Sequence, residues 1–321
     1  MLFIFLYDHK LKSGANKKIQ SFIRFVNEKK LDYEFILDHS AKNLKVDSKH
    51  KFVEFKSRTQ KLLLFRRKFK EEIIITDFVG STLLNKSVYW LIHDIRPING
   101  SKGRLNSFLY RYLLKTAINF IVVSSFTRDE VLKINPKANV LMWKNGIATE
   151  KIVRIKGNIS YDIIMVGAFV SRKGHLEALE LLHRYADTHN IQLNICLVGT
   201  KGDMLDEIND RRYQNLFIEV NVDLSSAVLK TKWQSSKCTL SNSQYEGFNY
   251  TVLESLSLLK NIVLSDIPGH SHFKDLGGCY FFGDEDSFRT ALEKALSIDL
   301  MCVDLSDFDE EINTENLLKS L

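Results

Sequence analysis

Residues 2–26 read LFIFLYDHKLKSGANKKIQSFIRFV. The run from Leu2 to Tyr7 is apolar without a break, as a strand buried on both faces should be. A polar turn containing Ser13 and Gly14 follows, after which Ile19, Phe22, Ile23 and Val26 fall at helical spacing. A buried strand feeding an amphipathic helix is the first half of a crossover unit, and a series of such units builds a parallel sheet covered by helices. Similar strand-like runs recur at Tyr33 (YEFIL), Glu72 (EIIIT), Val88 (VYWLIH), Phe120 (FIVVS) and Val140 (VLMWKNG). Residues 150–160 carry no strong apolar pattern and read as a linker. The alternation then restarts with YDIIMVG at Tyr161, IQLNICLVG at Ile191, LFIEV at Leu216, CTLS at Cys238 and NIVLS at Asn261. The sequence therefore predicts an α/β chain of two tandem doubly wound parallel-sheet domains, residues 1–155 and 156–321. Their ligand cleft is expected between the carboxyl ends of the sheets. The acidic stretch DFDEEINTENLLKSL at the end predicts a closing helix.

The composition fits that reading. Of the 321 residues, 45% are hydrophobic and 26% charged, which excludes the weakly apolar, highly charged regime of disorder. No run approaches the ~18 uninterrupted apolar residues of a membrane span. Cys196, Cys238, Cys279 and Cys302 form no CxxC pair, so neither a zinc ribbon nor a disulfide framework is indicated, and a reducing cytoplasm is the expected setting. The charge is unevenly placed. Residues 1–155 hold 30 Lys and Arg against 14 Asp and Glu, whereas residues 156–321 hold 15 against 25, so a net +6 conceals +16 followed by −10. The first half calls for an anionic partner.

Function is most legible in SNSQYEGFNYTVLESL, residues 241–256, where Glu246 and Glu254 flank an EGF turn with seven residues between them. Along a helix this spacing separates two carboxylates by about 7–12 Å, roughly the reach of a sugar diphosphate from hexose to ribose. The stretch resembles the retaining nucleotide-sugar glycosyltransferases of family 4, which have the two-domain GT-B fold of Rossmann-like domains facing a cleft. Further landmarks occur in the order of that family: KSGANKKI (12–19), IHD (92–94), VVSSFTRDEV (122–131), KNGI (144–147), VGAFVSRKGHLEALELL (166–182) and SDIPGH (265–270).

The resemblance implies a donor site made by Gly14, Gly167, Arg172, Lys173, Gly247, Phe248, Asn249, Tyr250 and Glu254. Glu246 would hold the donor sugar and Glu254 the ribose. Lys173 would neutralise the leaving diphosphate, aided by backbone amides at the start of the helix after Gly247. Catalysis would rest on Glu246 and Lys173, with His93 on the acceptor side, where a histidine at a strand's carboxyl end can exchange a proton near neutral pH. The other histidines quoted with the motifs, His175 and His270, and their neighbours His9 and His272 lack ligand-like spacing, so no metal is expected. No cofactor is expected beyond the nucleotide-sugar donor, a UDP-sugar ahead of a GDP-sugar.

Three departures stand out. Ala168 follows Gly167 where many members carry an arginine that clamps the diphosphate, and Arg172 is the candidate replacement. Asn249 stands where a second glycine is usual, and Lys260-Asn261 replace a glycine-proline pair.

FVEFKSRTQKLLLFRRKFK, residues 52–70, sets Phe55, Leu62, Phe65 and Phe69 at helical spacing among basic residues that include Lys61, Arg66, Arg67 and Lys68. This predicts a cationic amphipathic helix for an anionic membrane surface or an acceptor, and GRLNSFLYRYLLK from Gly103 is a second basic-aromatic segment. No nucleic-acid-binding motif is present, and no nucleic-acid partner is expected. The expected protein is a hexosyltransferase attached peripherally to the inner face of the cell membrane. It would act on a surface-glycan or lipid-linked saccharide acceptor of lipopolysaccharide, capsule or O-antigen type. The alternatives are a noncatalytic glycan-binding or partner subunit and a nucleotide-sugar epimerase.

Overall fold

The computed structural model describes residues 1–6, 14–42, 44–47, 49–55, 57–66, 73–83, 85, 87–99, 104–148 and 158–321. Seven strands form the first sheet: β1 (Leu2–Phe5), β2 (Glu34–Asp38), β3 (His50–Val53), β4 (Ile74–Thr76), β5 (Val88–Ile92), β6 (Asn119–Val122) and β7 (Asn139–Met142). Their spatial order is β3-β2-β1-β4-β5-β6-β7, and every pairing is parallel. The chain works outward from β1 on one side, then crosses to its other side at β4, so the winding reverses between β1 and β4. The helices are α1 (Gly14–Glu28), α2 (Arg58–Leu64), α3 (Arg104–Thr116) and α4 (Ser125–Ile134). As its spacing predicts, α1 buries Ile19, Phe22, Ile23 and Val26, and the Phe22 ring packs 4.6 Å from Phe3 and edge-on at 5.0 Å from Trp143.

The second sheet comprises β8 (Tyr161–Val166), β9 (Leu193–Gly199), β10 (Leu216–Val222), β11 (Ser236–Ser241), β12 (Ile262–Ser265) and β13 (Cys279–Phe282). Here the order is β10-β9-β8-β11-β12-β13, again all parallel, with the reversal between β8 and β11. Its helices are α5 (His175–His189), α6 (Leu205–Asp210), α7 (Ser226–Gln234), α8 (Tyr250–Ser257) and α9 (Glu285–Ser297). Ile163, Leu182, Leu197, Leu240 and Phe288 lie in one continuous core. In a doubly wound sheet the loops diverge at the carboxyl ends flanking the reversal, and that is where ligands sit.

Two expectations change. The closing helix, α10 (Glu310–Ser320), belongs with the first sheet, so the compact units are Met1–Ala148 with Phe308–Leu321, and Thr149–Asp307, in place of 1–155 and 156–321. The cause is a buried seat for α10. Lys18 is fully buried; its Nζ lies 2.9 Å from Glu310 Oε1, donates to Lys144 O at 2.6 Å and sits 4.5 Å over the Trp143 ring. Gly146 N donates to Glu310 Oε2 at 2.8 Å, and Trp143 Nε1 donates to Thr314 Oγ1 at 3.1 Å. Burial pushes the Lys18 ammonium down to about 8 and the Glu310 carboxyl upward, each against the pull of the other.

The single amphipathic helix expected over residues 52–70 is the second change. Phe52 and Val53 belong to β3, and α2 covers only Arg58–Leu64, capped by Ser57, whose Oγ accepts from Gln60 N. Phe65 is buried and stacks on Phe78, while Lys61 turns inward to Leu6 O at 2.5 Å and Asp38 Oδ2 at 3.1 Å. Of the cations expected to meet a membrane there, Arg66 is exposed, whereas Arg67 and Lys68 lie outside the described residues. Among the described residues no helix is long and apolar enough to cross a membrane.

Candidate functional site at the β8–β11 reversal

In the second unit, β8 ends at Val166, and the chain passes Gly167 and a 3-10 turn, Ser171–Lys173, before α5. Gly174 makes the corner with φ +62°, where a Cβ would lie 2.1 Å from Asn242 O, so only glycine lets this loop close on the one after β11. Asn242 Nδ2 donates to Gly174 O at 3.1 Å and Gln244 N to Arg172 O at 2.8 Å, which ties the two loops together. A third loop follows β12. Its Gly269 backs onto Glu246, and a Cβ there would meet Glu246 O at 2.0 Å.

The three loops bring together four polar side chains. Lys173 Nζ lies 2.5 Å from Glu246 Oε1, Arg172 Nη1 lies 3.4 Å from the same oxygen, and Ser243 Oγ donates to it at 2.7 Å. Arg172 Nη1 is also 3.5 Å from Tyr245 O. The aliphatic stem of Lys173 passes over Gly167, where a Cβ would come within 3.3 Å of it. Glu246 is buried, and burial alone would raise its pKa. The two cations and the Ser243 hydroxyl outweigh that and hold it below the usual carboxylate range. Among the described residues two positive groups thus converge on one carboxylate at the carboxyl ends of adjacent strands.

Beyond Gly247, α8 begins at Tyr250 with Asn249 as its N-cap. Asn249 adopts φ −107°, so the left-handed backbone that would link it to a usual glycine is not used. Its Nδ2 instead donates to Ser241 Oγ at 2.9 Å and lies 3.1 Å from His270 Nε2, while His270 Nδ1 lies 2.8 Å from Ser265 O. The Ser265 carbonyl requires the proton on Nδ1, which leaves Nε2 to accept from Asn249. Burial lowers the His270 pKa and favours that neutral form. Asn249 is thereby a brace between strand ends, not a free donor toward a ligand. Phe248 stacks on His272 with ring centres 5.0 Å apart, and Tyr250 packs edge-on against Phe248. Glu254 is half-buried one turn into α8.

The first unit holds the other two expected residues. Gly14 is the first residue of α1. His93 follows β5 directly, half-buried, and neither of its ring nitrogens has a hydrogen-bond partner among the described residues. Burial, helped by nearby Lys18 and opposed by Asp94, depresses it to about 4. It is therefore neutral at pH 7 and does not titrate near neutrality as the sequence alone suggests. Among the described residues no group of three or more His, Cys, Asp and Glu is arranged to hold a metal ion.

Sequence reasoning passed over Ser243, Asn242, Gly269 and His270 as parts of this site. The signal was present in SNSQYEG and SDIPGH: Ser243 is three positions from Glu246, but Asn242 meets Gly174 and His270 meets Asn249 across 20 or more positions, and no local spacing reveals those.

Residues 150–308 match the family model of glycosyl transferases group 1. The matched segment covers the second unit and so carries every residue of the cluster around Glu246. Solved structures resemble the chain as a whole. The lipopolysaccharide outer core galactosyltransferase WaaB, in its apo form, aligns over 100% of this chain and 99% of its own with a TM-score of 0.69 and 15% identity. A sucrose-phosphate synthase from Thermosynechococcus elongatus aligns over 100% and 94%, with a TM-score of 0.66 and 12% identity. The two sheets are those of the GT-B fold. TarM aligns over 92% of this chain with a TM-score of 0.59 and 16% identity, and this GT-B chain spans 54% of TarM's length. No curated protein matches the chain in sequence.

Proposed function

We propose that the protein is a retaining hexosyltransferase that moves a sugar from a nucleoside-diphosphate donor, a UDP-sugar ahead of a GDP-sugar, to a saccharide acceptor. The observation that carries this reading is the convergence of Arg172 and Lys173 on Glu246 at the sheet reversal, inside the segment that matches glycosyl transferases group 1. As the anomeric carbon–oxygen bond breaks, negative charge gathers on the departing diphosphate. Preorganised positive charge is the largest means of stabilising it. Lys173 and Arg172 supply that charge, and the first amides of α8 add the positive end of a helix dipole.

Arg172 takes the part left vacant by Ala168, which removes the main motive for a noncatalytic reading. Glu246 orients the donor sugar, and Glu254 holds the ribose. The new bond forms from the acceptor hydroxyl to the anomeric carbon on the face the phosphate leaves, and the hydroxyl proton passes to the departing phosphate oxygen. Neutral His93 is the acceptor-side residue able to accept a hydrogen bond. WaaB is named for lipopolysaccharide outer core, and one S. aureus TarM structure is a complex with UDP and α-GlcNAc-glycerol. By analogy, the acceptor proposed here is a surface-glycan or lipid-linked saccharide at the cytoplasmic face of a membrane.

Calorimetric titration of UDP, GDP, ADP and CMP into the wild type, Lys173→Ala and Glu254→Ala tests the donor site. The expected result is binding of one diphosphate, weakened in both variants. Absence of binding by folded protein would overturn the reading. Glu246→Gln is expected to lower turnover while nucleotide affinity holds or rises, because Lys173 no longer shares a negative partner.

A further inference from the structure

The helix α3, RLNSFLYRYLLKT, is divided lengthwise into three sectors. Tyr110, Leu113 and Leu114 face inward and are buried with Trp90 and Phe120. Ser107 is anchored on the same side, its Oγ donating to Ile98 O. Leu105, Phe108, Leu109 and Tyr112 are 81%, 71%, 46% and 51% exposed. Their i, i+3, i+4, i+7 spacing gathers them on one stripe, about 100° wide, away from the core. Between the stripe and the buried sector run Arg111 and Lys115, both exposed and without an ion-pair partner among the described residues. Leu83, 47% exposed, lies in the turn Ser81–Leu83 that packs against α3.

An outward row of large apolar side chains has no structural use in water, since a soluble helix needs only its inner face apolar. We propose that this stripe is the surface by which the protein docks on an anionic lipid bilayer, Leu105, Phe108, Leu109 and Tyr112 entering the interface and Arg111 and Lys115 meeting the headgroups. Charge chooses the occupant. From Ile95 to Arg128 the sequence contains six basic residues and no acidic one, within a half of the chain that carries net +16. A second copy docked face to face would set these cations against each other. Anionic headgroups satisfy both sectors together. Of the two basic-aromatic segments expected to face lipid, the one at 52–70 has Phe65 and Lys61 committed inward, and α3 keeps its apolar stripe outward. The inference does not depend on sugar transfer.

Co-sedimentation with vesicles of phosphatidylcholine alone and of equimolar phosphatidylcholine and phosphatidylglycerol tests it. The wild type is expected to bind the anionic vesicles, to be released by high salt and to ignore the neutral ones. Arg111→Gln with Lys115→Gln should weaken partitioning by about 30-fold, and Leu105→Ser with Phe108→Ser should abolish it. All four positions are exposed, and unchanged thermal unfolding will show that the variants fold. Failure of the wild type to bind anionic vesicles would overturn the proposal, as would wild-type binding by folded variants. A dimer in sedimentation equilibrium that the Leu105→Ser, Phe108→Ser variant dissolves would also overturn it, by assigning the stripe to a second copy.

Discussion

Each unit of this protein sets a lysine against a buried glutamate, and the two pairs behave in opposite ways. Lys18 and Glu310 stand one against one, closed in by the Trp143 ring and by the backbone of Lys144 and Gly146. Burial wins there, lowering the lysine and raising the glutamate. Lys173 and Glu246 have Arg172 as a third member and Ser243 as a hydroxyl donor, and the cations win, keeping Glu246 ionised below its usual range. A balanced, sealed pair holds a helix in place. A carboxylate met by two cations near solvent is a place where an anion can compete for them.

The largest effect is expected where the balanced pair is broken. Glu310→Ala leaves the Lys18 ammonium buried without its counter-charge and should cost about 3–5 kcal/mol in urea unfolding, whereas Lys18→Met with Glu310→Leu should come out near neutral or stabilising. Equal losses in both would mean that the seat of α10 depends on the charges themselves. Next comes Lys173→Ala, expected to lower kcat by about 10²–10³-fold with unfolding little changed, the reverse of the Glu310 result. Arg172→Ala should cost about tenfold, being farther from the carboxylate and partly solvated. No loss there would return the missing arginine after Gly167 to the centre of the problem.

The smallest effect is a matter of sign. The folded state holds Glu246 below its ordinary pKa, so its contribution is present above about pH 4.5 and is lost as pH falls through the folded value. Glu310 is held above, so its contribution favours acid and declines as pH rises from about 4.5 through its folded value. Stability of the wild type relative to Glu246→Gln should therefore rise with pH across the acid range. Relative to Glu310→Gln it should fall. Parallel curves would erase the distinction between the pairs.

The buried strands were legible because parallel strands covered on both faces are nearly continuous apolar runs, and β1, β5, β9 and β12 stand out for that reason. The edges were not. HKFV of β3 is polar and carries two exposed residues, so it lacks the pattern, while CYFF of β13 is apolar but only partly buried at the other edge. The stretch 52–70 misled because helical spacing cannot say which side an apolar face turns to, and Phe65 turns inward. At the candidate site, Lys173 and Glu246, which the fold brings together, were readable from local motifs. Ser243 is three positions from Glu246, but only the folded loop aims its hydroxyl at the carboxylate, and the Asn249–His270 brace emerges only when strands distant in sequence lie side by side. The allegiance of α10 was hidden because its partners, Trp143 and Gly146, are 171 and 164 positions upstream of theirs.

That long return also governs how the protein comes into being. The second unit is an insertion between Ala148 and Phe308 of the first. During synthesis the first sheet emerges early, yet the final piece of its core arrives only after some 160 further residues have been made. Until then Trp143 lacks its helix and Lys18 its glutamate, and closing so distant a contact is slow. The second unit, continuous in sequence, can complete itself first, so the inserted domain can mature before the domain that receives it.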